Sequence, residues 1–333
     1  MPKITKSQLK SVLATADEVR AWQSHVPPVR TRIAGMQGSR HAVEKVFTAS
    51  MRNAKVDVEK LATIRSNHAA ELNRLLKAEA AEALKVSAKA KTMLAANIAS
   101  RREALQQLHN VPLTPALPTF ITLTEPFLIW ATPRSNLLSD SQVQPWGSYA
   151  KIKVAPTSGG YEKLSFYFLW NNPSDYHAVI NASSYLALNG YFRAYAEGSL
   201  SYLWNVGGHT SSMYLSASLN CWEWWNQPPT LTRSDTKPVL ELSANAGFFD
   251  DTQTKTLSDV VDFEVDQFVV PPNGVVVFEV ALNMSYSVDD GHVHINFEDG
   301  GHEVVCPAIS IALLTPPVAT NVVNATHASL APV

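Results

Sequence analysis

Cysteine and long apolar runs are scarce in this chain of 333 residues. Only Cys221 and Cys306 occur, so a disulfide framework is excluded and we expect two reduced thiols buried in apolar strands. No stretch approaches the roughly 18 apolar residues that a membrane span needs, and the first residues show no signal-peptide pattern. We therefore expect a soluble protein that is cytoplasmic or released as part of an assembly.

Motifs of catalysis and cofactor binding are missing as well. The sequence holds no Gly-x-Ser-x-Gly, no phosphate-binding glycine loop and no Cys/His nucleophile pair. Carboxylates are plentiful between residues 250 and 266, but a linear sequence cannot place two of them at the separation that a glycosidase needs. We expect a protein without enzymatic activity and without a cofactor.

The charge that is present divides the chain into two unlike parts. Residues 1–111 carry 19 Lys and Arg against 9 Asp and Glu, whereas the remaining residues carry 8 against 20. Between the two parts, residues 112–118 contain three prolines, which predicts an extended linker. The sequence thus predicts an α+β multidomain protein with a basic helical module at 1–111 and an acidic β-sandwich at 119–315, followed by a tail at 316–333.

The basic part is typical of a long helix. The 73 residues 39–111 contain neither Gly nor Pro and are rich in residues that favour helix. Their apolar spacing alternates steps of three and four as in a coiled coil, but shifts register along the chain, which favours a bundle or hairpin. Ser66, Asn67 and His68 form the best internal break, and a shorter helix is predicted at about residues 7–24.

The acidic part is typical of antiparallel sheet. Short β-branched and aromatic runs separated by turn residues predict a jelly-roll-like β-sandwich. The strongest strand, 274–288, alternates as if one face were buried, with Glu279 on the solvent side. A tight turn at 289–291 predicts a hairpin into the next strand. The predicted strands are 119–123, 126–131, 149–154, 163–170, 178–188, 191–196, 200–206, 212–225, 261–269, 274–288, 292–297 and 304–314.

Two surfaces of this chain suggest ligands. The first is a basic stretch in the helix, for which two interpretations stay open: a solvated helix face, or a site for a polyanion such as nucleic acid or an anionic membrane. Its residues are Lys85, Lys89, Lys91, Arg101 and Arg102.

The second surface is the tryptophan-rich run Trp222, Glu223, Trp224 and Trp225. Strand alternation places Trp222 and Trp224 on the face opposite the core row that ends at Cys221. Exposed tryptophans next to amides and carboxylates are suited to stacking on sugar rings or to a protein receptor. Core packing is the alternative interpretation.

One short motif points to a metal. His292, His294 and Glu298 have the spacing His-x-His-x3-Glu, and two histidines two positions apart on a strand share a face and can chelate one ion. The spacing resembles the first metal motif of cupins, which are double-stranded β-barrels. That resemblance implies a metal site at these three residues, and surface or structural histidines are the alternative.

From these observations we expect a non-catalytic homo-oligomeric protein. The helices would serve assembly or anchoring, and the β-sandwich would build a shell or recognise a glycan or a protein receptor. Two alternatives stay open, each of another class. One is a capsid-like coat protein whose basic helices face nucleic acid, and the other is a helical pore-forming toxin with a receptor-binding sandwich.

Overall fold

The computed structural model describes residues 17–19, 46–109, 119–132, 137–204, 209–226 and 228–314. The predicted linker at 112–118 and the tail at 316–333 lie outside the described residues, as does the first predicted helix except for its helical residues 17–19. No helix in these ranges is long and apolar enough to span a membrane.

The basic part forms one dominant helix, Val58–His109, called here the long helix. Its 52 residues make it about 78 Å long at about 1.5 Å per residue. The helical conformation is interrupted before the long helix, at residues 54–57, and not at the predicted Ser66. Lys55 adopts a left-handed φ of 59°, and the Asp57 carboxylate accepts a hydrogen bond from the Lys60 amide at 2.9 Å, which caps the new helix.

The long helix lies against a sheet of the acidic part. Ser87 is buried there, and its carbonyl accepts a hydrogen bond from the Asn189 side chain at 3.1 Å. Gly301 allows the close approach, because a Cβ on it would stand 2.9 Å from the Ser87 hydroxyl oxygen. The helix therefore packs on the β-domain of its own chain.

The acidic part has thirteen strands in the described ranges. They are β1 (Thr119–Leu123), β2 (Leu128–Ala131), β3 (Leu138–Gln142), β4 (Ser148–Val154), β5 (Gly160–Asn171), β6 (Ala178–Ala196), β7 (Thr210–Glu223), β8 (Thr230–Asn245), β9 (Asp251–Val270), β10 (Val275–Asp289), β11 (Gly291–Asn296), β12 (Glu303–Cys306) and β13 (Ile309–Leu313).

These strands form two antiparallel sheets that pack as a sandwich. The five-stranded sheet has the order β2-β5-β10-β7-β8, and an eight-stranded sheet is built around β6. Between them lies one core of aliphatic and aromatic side chains, with Phe166, Phe192 and Phe278 fully buried. The predicted sandwich is confirmed, whereas the predicted jelly-roll topology is not.

Three local predictions are wrong. The described part of the predicted strand 200–206 is not a strand, because Leu200–Trp204 forms a 3-10 helix. The turn at Asp290 and Gly291 does not close a hairpin, because β10 lies in the five-stranded sheet and β11 pairs with β6 in the other. Finally, Glu279 on β10 is fully buried and does not face solvent.

Both cysteines are buried and free. Burial raises the pKa of the Cys221 thiol to about 12, and burial also raises the pKa of Cys306. Both side chains are therefore protonated and behave as small apolar groups at neutral pH.

Candidate functional site

The tryptophan-rich run divides between two environments. The indole of Trp222 lies half-buried on the outer face of the five-stranded sheet, and Trp224 packs beside it in the same cluster. Trp225 instead contacts the main core, with its ring 6.3 Å from that of Phe268. The Glu223 carboxylate accepts a hydrogen bond from the Asn226 amide. A register shift between Cys221 and Trp222 in the pairing with β8 marks the point where β7 becomes irregular.

Trp222 and Trp224 belong to a larger aromatic surface. Val277 and Leu128 pack within it, and Val19, which is fully buried, packs against it from the N-terminal part of the chain. The indole nitrogen of Trp224 donates to the Glu18 carboxylate at 3.0 Å, and only 8% of Trp224 is exposed. We call this surface the aromatic face; its rings are Phe127, Trp130, Tyr167, Trp222 and Trp224.

A buried carboxylate organises the polar side of the aromatic face. Glu279 is 0% exposed, and its Oε1 atom accepts hydrogen bonds from Tyr167 Oη at 2.7 Å and Ser165 Oγ at 2.8 Å. Lys163 Nζ lies 2.6 Å from the same oxygen.

The second oxygen of Glu279 has its own partners. Oε2 accepts from Asn220 Nδ2 at 2.9 Å and from Trp222 Nε1 at 3.2 Å. All the groups around the carboxylate are therefore donors, as an ionised and acceptor-only side chain requires. We call these residues the Glu279 network; its members are Lys163, Ser165, Tyr167, Asn220, Trp222 and Glu279.

The electrostatics of the network follow from this geometry. Burial alone would raise the pKa of Glu279, but the charge and hydrogen bond of Lys163, together with the bonds from Tyr167 and Asn220, hold it below its usual value. Burial, and then the nearby Glu279 charge, raise the pKa of Tyr161 to about 12. Glu279 is thus ionised and Tyr161 neutral at physiological pH.

Sequence reasoning missed the Glu279 network. Lys163, Ser165 and Tyr167 alternate with core residues on β5, and Glu279 alternates in the same way on β10. What the sequence does not show is that Tyr167 and Glu279 are directly paired across the two strands. A polar row repeated on two long apolar strands was the available signal, but it does not reveal which strands are neighbours.

The basic stretch of the long helix meets several partners within its own chain. Lys91 Nζ lies 2.8 Å from Glu303 Oε2, and Arg101 forms an ion pair with Asp262. The hydrogen bond to Asp262 raises the pKa of Arg101. These contacts join residues 212 and 161 positions apart, so part of the positive charge faces the acidic domain.

The other three basic residues form no ion pair with that domain's carboxylates within the described ranges. Lys85 pairs with Glu82 on the same helix at 3.0 Å. The Arg102 guanidinium lies 5.8 Å from the centre of the Trp146 ring, within reach of a cation–π interaction. Lys89 is exposed and makes no ion pair within the described part of the chain.

The histidine motif does not assemble a metal centre. Across the described ranges, no group of three His, Cys, Asp or Glu side chains is arranged to hold an ion. His292 Nε2 lies 2.8 Å from the Arg193 guanidinium, and a cation at that distance opposes a second cation. Burial, aided by the Arg193 charge, lowers the pKa of His294 to about 4. The Glu298 amide donates to Asn296.

Comparison with known proteins gives distant likenesses only. No protein-family model matches the chain, and no curated protein matches it. Among solved structures, TmCBM61 in complex with β-1,4-galactotriose is similar at a TM-score of 0.20 and 6% identity, over 56% of this chain and 86% of that one.

Two further structures are similar to the same degree. CBM4 has a TM-score of 0.18 and 13% identity over 59% of this chain and 90% of its own. TmCBM27, described as a carbohydrate-binding module that recognises mannan, has a TM-score of 0.19 and 11% identity over 56% of this chain and 96% of its own. These values are too low to carry an argument about ligand or mechanism.

Proposed function

We propose that the β-sandwich recognises a glycan with the aromatic face. The observation that carries this proposal is the Glu279 network, which fixes Trp222 beside buried donors and acceptors. Sugar rings offer apolar C–H faces that stack on aromatic rings and hydroxyls that hydrogen-bond at the ring edge. Trp130 and Trp222 are both half-buried, so part of each residue is exposed to solvent.

The network holds its indole in place without closing it off. Trp222 Nε1 donates to Glu279, and a hydrogen-bonded indole loses less conformational freedom when a ligand binds. The polar side chains Tyr161 and Asn283 lie on the same sheet face, joined by a hydrogen bond of 2.6 Å. Small-ligand sites typically combine an apolar or aromatic surface with a few polar groups that orient the ligand, and the aromatic face has both.

The test measures binding of the full chain to an array of neutral oligosaccharides built from glucose, galactose and mannose. Trp222→Ala should reduce binding at least tenfold, because the loss of about 1.4 kcal/mol of stacking corresponds to one decade in affinity. Trp130→Ala should act in the same direction. Tyr176→Ala is the matched control, since Tyr176 is an aromatic residue exposed by 48% on the loop between β5 and β6.

Circular dichroism and thermal melts of each variant keep the result interpretable. If both tryptophan variants fold and bind as the unaltered chain does, the aromatic face is not the glycan site. If the unaltered chain binds no oligosaccharide on the array, glycan recognition itself is rejected.

A further inference from the structure

A cleft lies on the other side of the sandwich, where the long helix crosses the eight-stranded sheet. Its volume is about 640 Å³, within the roughly 300–1,000 Å³ of small-molecule sites. Arg101 lines it from the helix, Tyr185 from β6, and Asp262 and Glu264 from β9. We call it the Tyr185 cleft. Its residues are separate from those of the aromatic face.

Among the described residues, the Tyr185 hydroxyl is the group in this cleft that lacks a hydrogen-bond partner and that a ligand could satisfy. Its side chain is only 7% exposed, yet its hydroxyl has no hydrogen-bond partner in the described structure. Burial raises the pKa of Tyr185 to about 12, against a smaller opposite effect of the Arg101 charge. The hydroxyl is thus neutral, able to donate and to accept, and unsatisfied, whereas buried polar groups are nearly always paired.

The neighbouring groups are fixed by their own contacts. The Arg101 guanidinium lies 4.7 Å from the centre of the Tyr185 ring and pairs with Asp262. Asp235 Oδ1 lies 3.0 Å from Lys237 Nζ, and its Oδ2 accepts from the Glu264 amide at 3.0 Å. The Glu264 carboxylate itself has no ion pair in the described ranges, which leaves one free acceptor in the same cleft as the unsatisfied phenol.

The register of three neighbouring strands places two serine hydroxyls in line with the Glu264 carboxylate. Ser310 of β13 pairs with Ser183 of β6, and Ser183 pairs with Glu264 of β9. Because directly paired residues share one face of a sheet, these side chains form a row at the strand spacing of about 4.8 Å. All three line the cleft. The row offers hydroxyl, hydroxyl and carboxylate in succession.

This chemistry selects one class of ligand. Three carboxylates against two cations in the lining disfavour a phosphate or another anion. Two of these carboxylates already pair with Arg101 and Lys237, so the Glu264 carboxylate and the Tyr185 hydroxyl are the groups left for a ligand. An apolar ligand would leave both without a partner, and an ammonium group, which only donates, would offer no acceptor to the Tyr185 O–H. A neutral molecule with many hydroxyl groups, each both donor and acceptor, satisfies both kinds of group.

We propose that the Tyr185 cleft binds a neutral saccharide, as a second site that rests on the glycan recognition proposed for the aromatic face and extends it. The Tyr185 hydroxyl and the Glu264 carboxylate are the contacts on which affinity depends. Arg101 orients the Tyr185 ring from above.

The experiment is saturation-transfer NMR on the full chain with maltose, cellobiose, lactose and mannobiose, with glucosamine and inorganic phosphate as competing probes. Tyr185→Phe should weaken disaccharide binding about tenfold, the loss that corresponds to one hydrogen bond. Because the hydroxyl is unsatisfied in the free protein, this variant should unfold at an unchanged or higher temperature. Glu264→Gln should also weaken binding, and Tyr176→Phe is the matched control.

The outcomes separate the two proposals. Weaker binding in Tyr185→Phe with binding retained in Trp222→Ala supports the cleft. Binding abolished by Trp222→Ala but unchanged in both cleft variants overturns the cleft and leaves the aromatic face standing. Binding of glucosamine or phosphate alone overturns the neutral-saccharide assignment, and no binding of any saccharide overturns both proposals.

Discussion

Glu279 gives the sharpest test of the structure through its effect on stability. Glu279→Gln removes the charge that pairs with Lys163 and turns one acceptor oxygen into a donor among donors. Breaking a buried ion pair typically destabilises a protein by about 3–5 kcal/mol. Lys163 is 17% exposed and can turn toward water, so we expect the lower end of this range, about 3 kcal/mol.

The measurement is urea unfolding at pH 7, with the slope of the transition checked for constancy. Lys163→Met should also destabilise the fold, because it leaves the fully buried Glu279 charge without its cation. The double variant Glu279→Gln with Lys163→Met should lose less stability than the sum of the two single variants, because the charge pair is then removed from both sides while the amide oxygen of Gln still accepts from the neighbouring donors.

The pH dependence supplies an independent readout. The pKa of folded Glu279 is lowered, so its contribution is fully present above the unfolded value of about 4.3. That contribution is lost as the pH falls through the lower folded value. The gap in stability between the unaltered chain and Glu279→Gln should therefore shrink below about pH 4. Equal stability of the two proteins at pH 7 would refute a buried, ionised Glu279.

Three further predictions concern the long helix and the sheet under it. Because the pKa of His294 is lowered to about 4 in the fold, the melting temperature should fall as the pH drops from about 6.5 toward 4, and less so in His294→Gln. Gly301→Ala should destabilise the chain in urea titrations, since its Cβ would press on Ser87. Gly147→Ala should cost less, because the three atoms nearest to its Cβ all belong to the Gln144 side chain and not to backbone. Four apolar side chains of the long helix are 42–64% exposed and recur at intervals of 11, 11 and 7 residues, so they share one side of the helix: Ile64, Leu75, Val86 and Met93. Because this apolar side needs a partner, light scattering should give a mass at least twice the 36.5 kDa of one chain. Charged substitutions at these four positions should reduce the mass to that of the monomer.

Much of the sheet could be predicted because its strands carry strong local signals. Alternation and β-branched residues identify β10 and most of β5 and β7 within a few residues. The edge strands β3 and β8 were missed, because most of their side chains are exposed and polar and therefore give no apolar alternation. Burial of one face is what makes a strand visible in sequence.

The split of β6 into two predicted strands has a tertiary explanation. Asn189 and Gly190 read locally as a turn, yet they lie inside one continuous strand. The Asn189 amide donates to the carbonyls of Ser87 and Gly301, and a Cβ on Gly190 would stand 2.8 Å from the ring of Phe297. Both residues serve contacts with distant parts of the chain, which local propensity does not record.

The candidate site was only partly accessible from sequence. The unusual composition of residues 222–225 drew attention to the correct region of β7. It did not show that Trp224 is buried while Trp222 is half-buried, because that difference depends on Glu18 and Val19, some 200 positions away. Glu279 was assigned to solvent because alternation distinguishes two faces of a strand but not whether the second face is covered.

The opposite charges of the two parts have a structural use that restricts the polyanion hypothesis. Lys91 and Arg101 are paired with carboxylates of the β-domain, and a nucleic acid or anionic membrane would have to displace these partners. Lys85, Lys89 and Arg102 are exposed, so they remain as the accessible part of the basic stretch. Three dispersed cations release few counterions, and a salt dependence with a slope of only about −3 would be expected for B-DNA. A markedly steeper slope would mean that the long helix leaves the sheet when it binds.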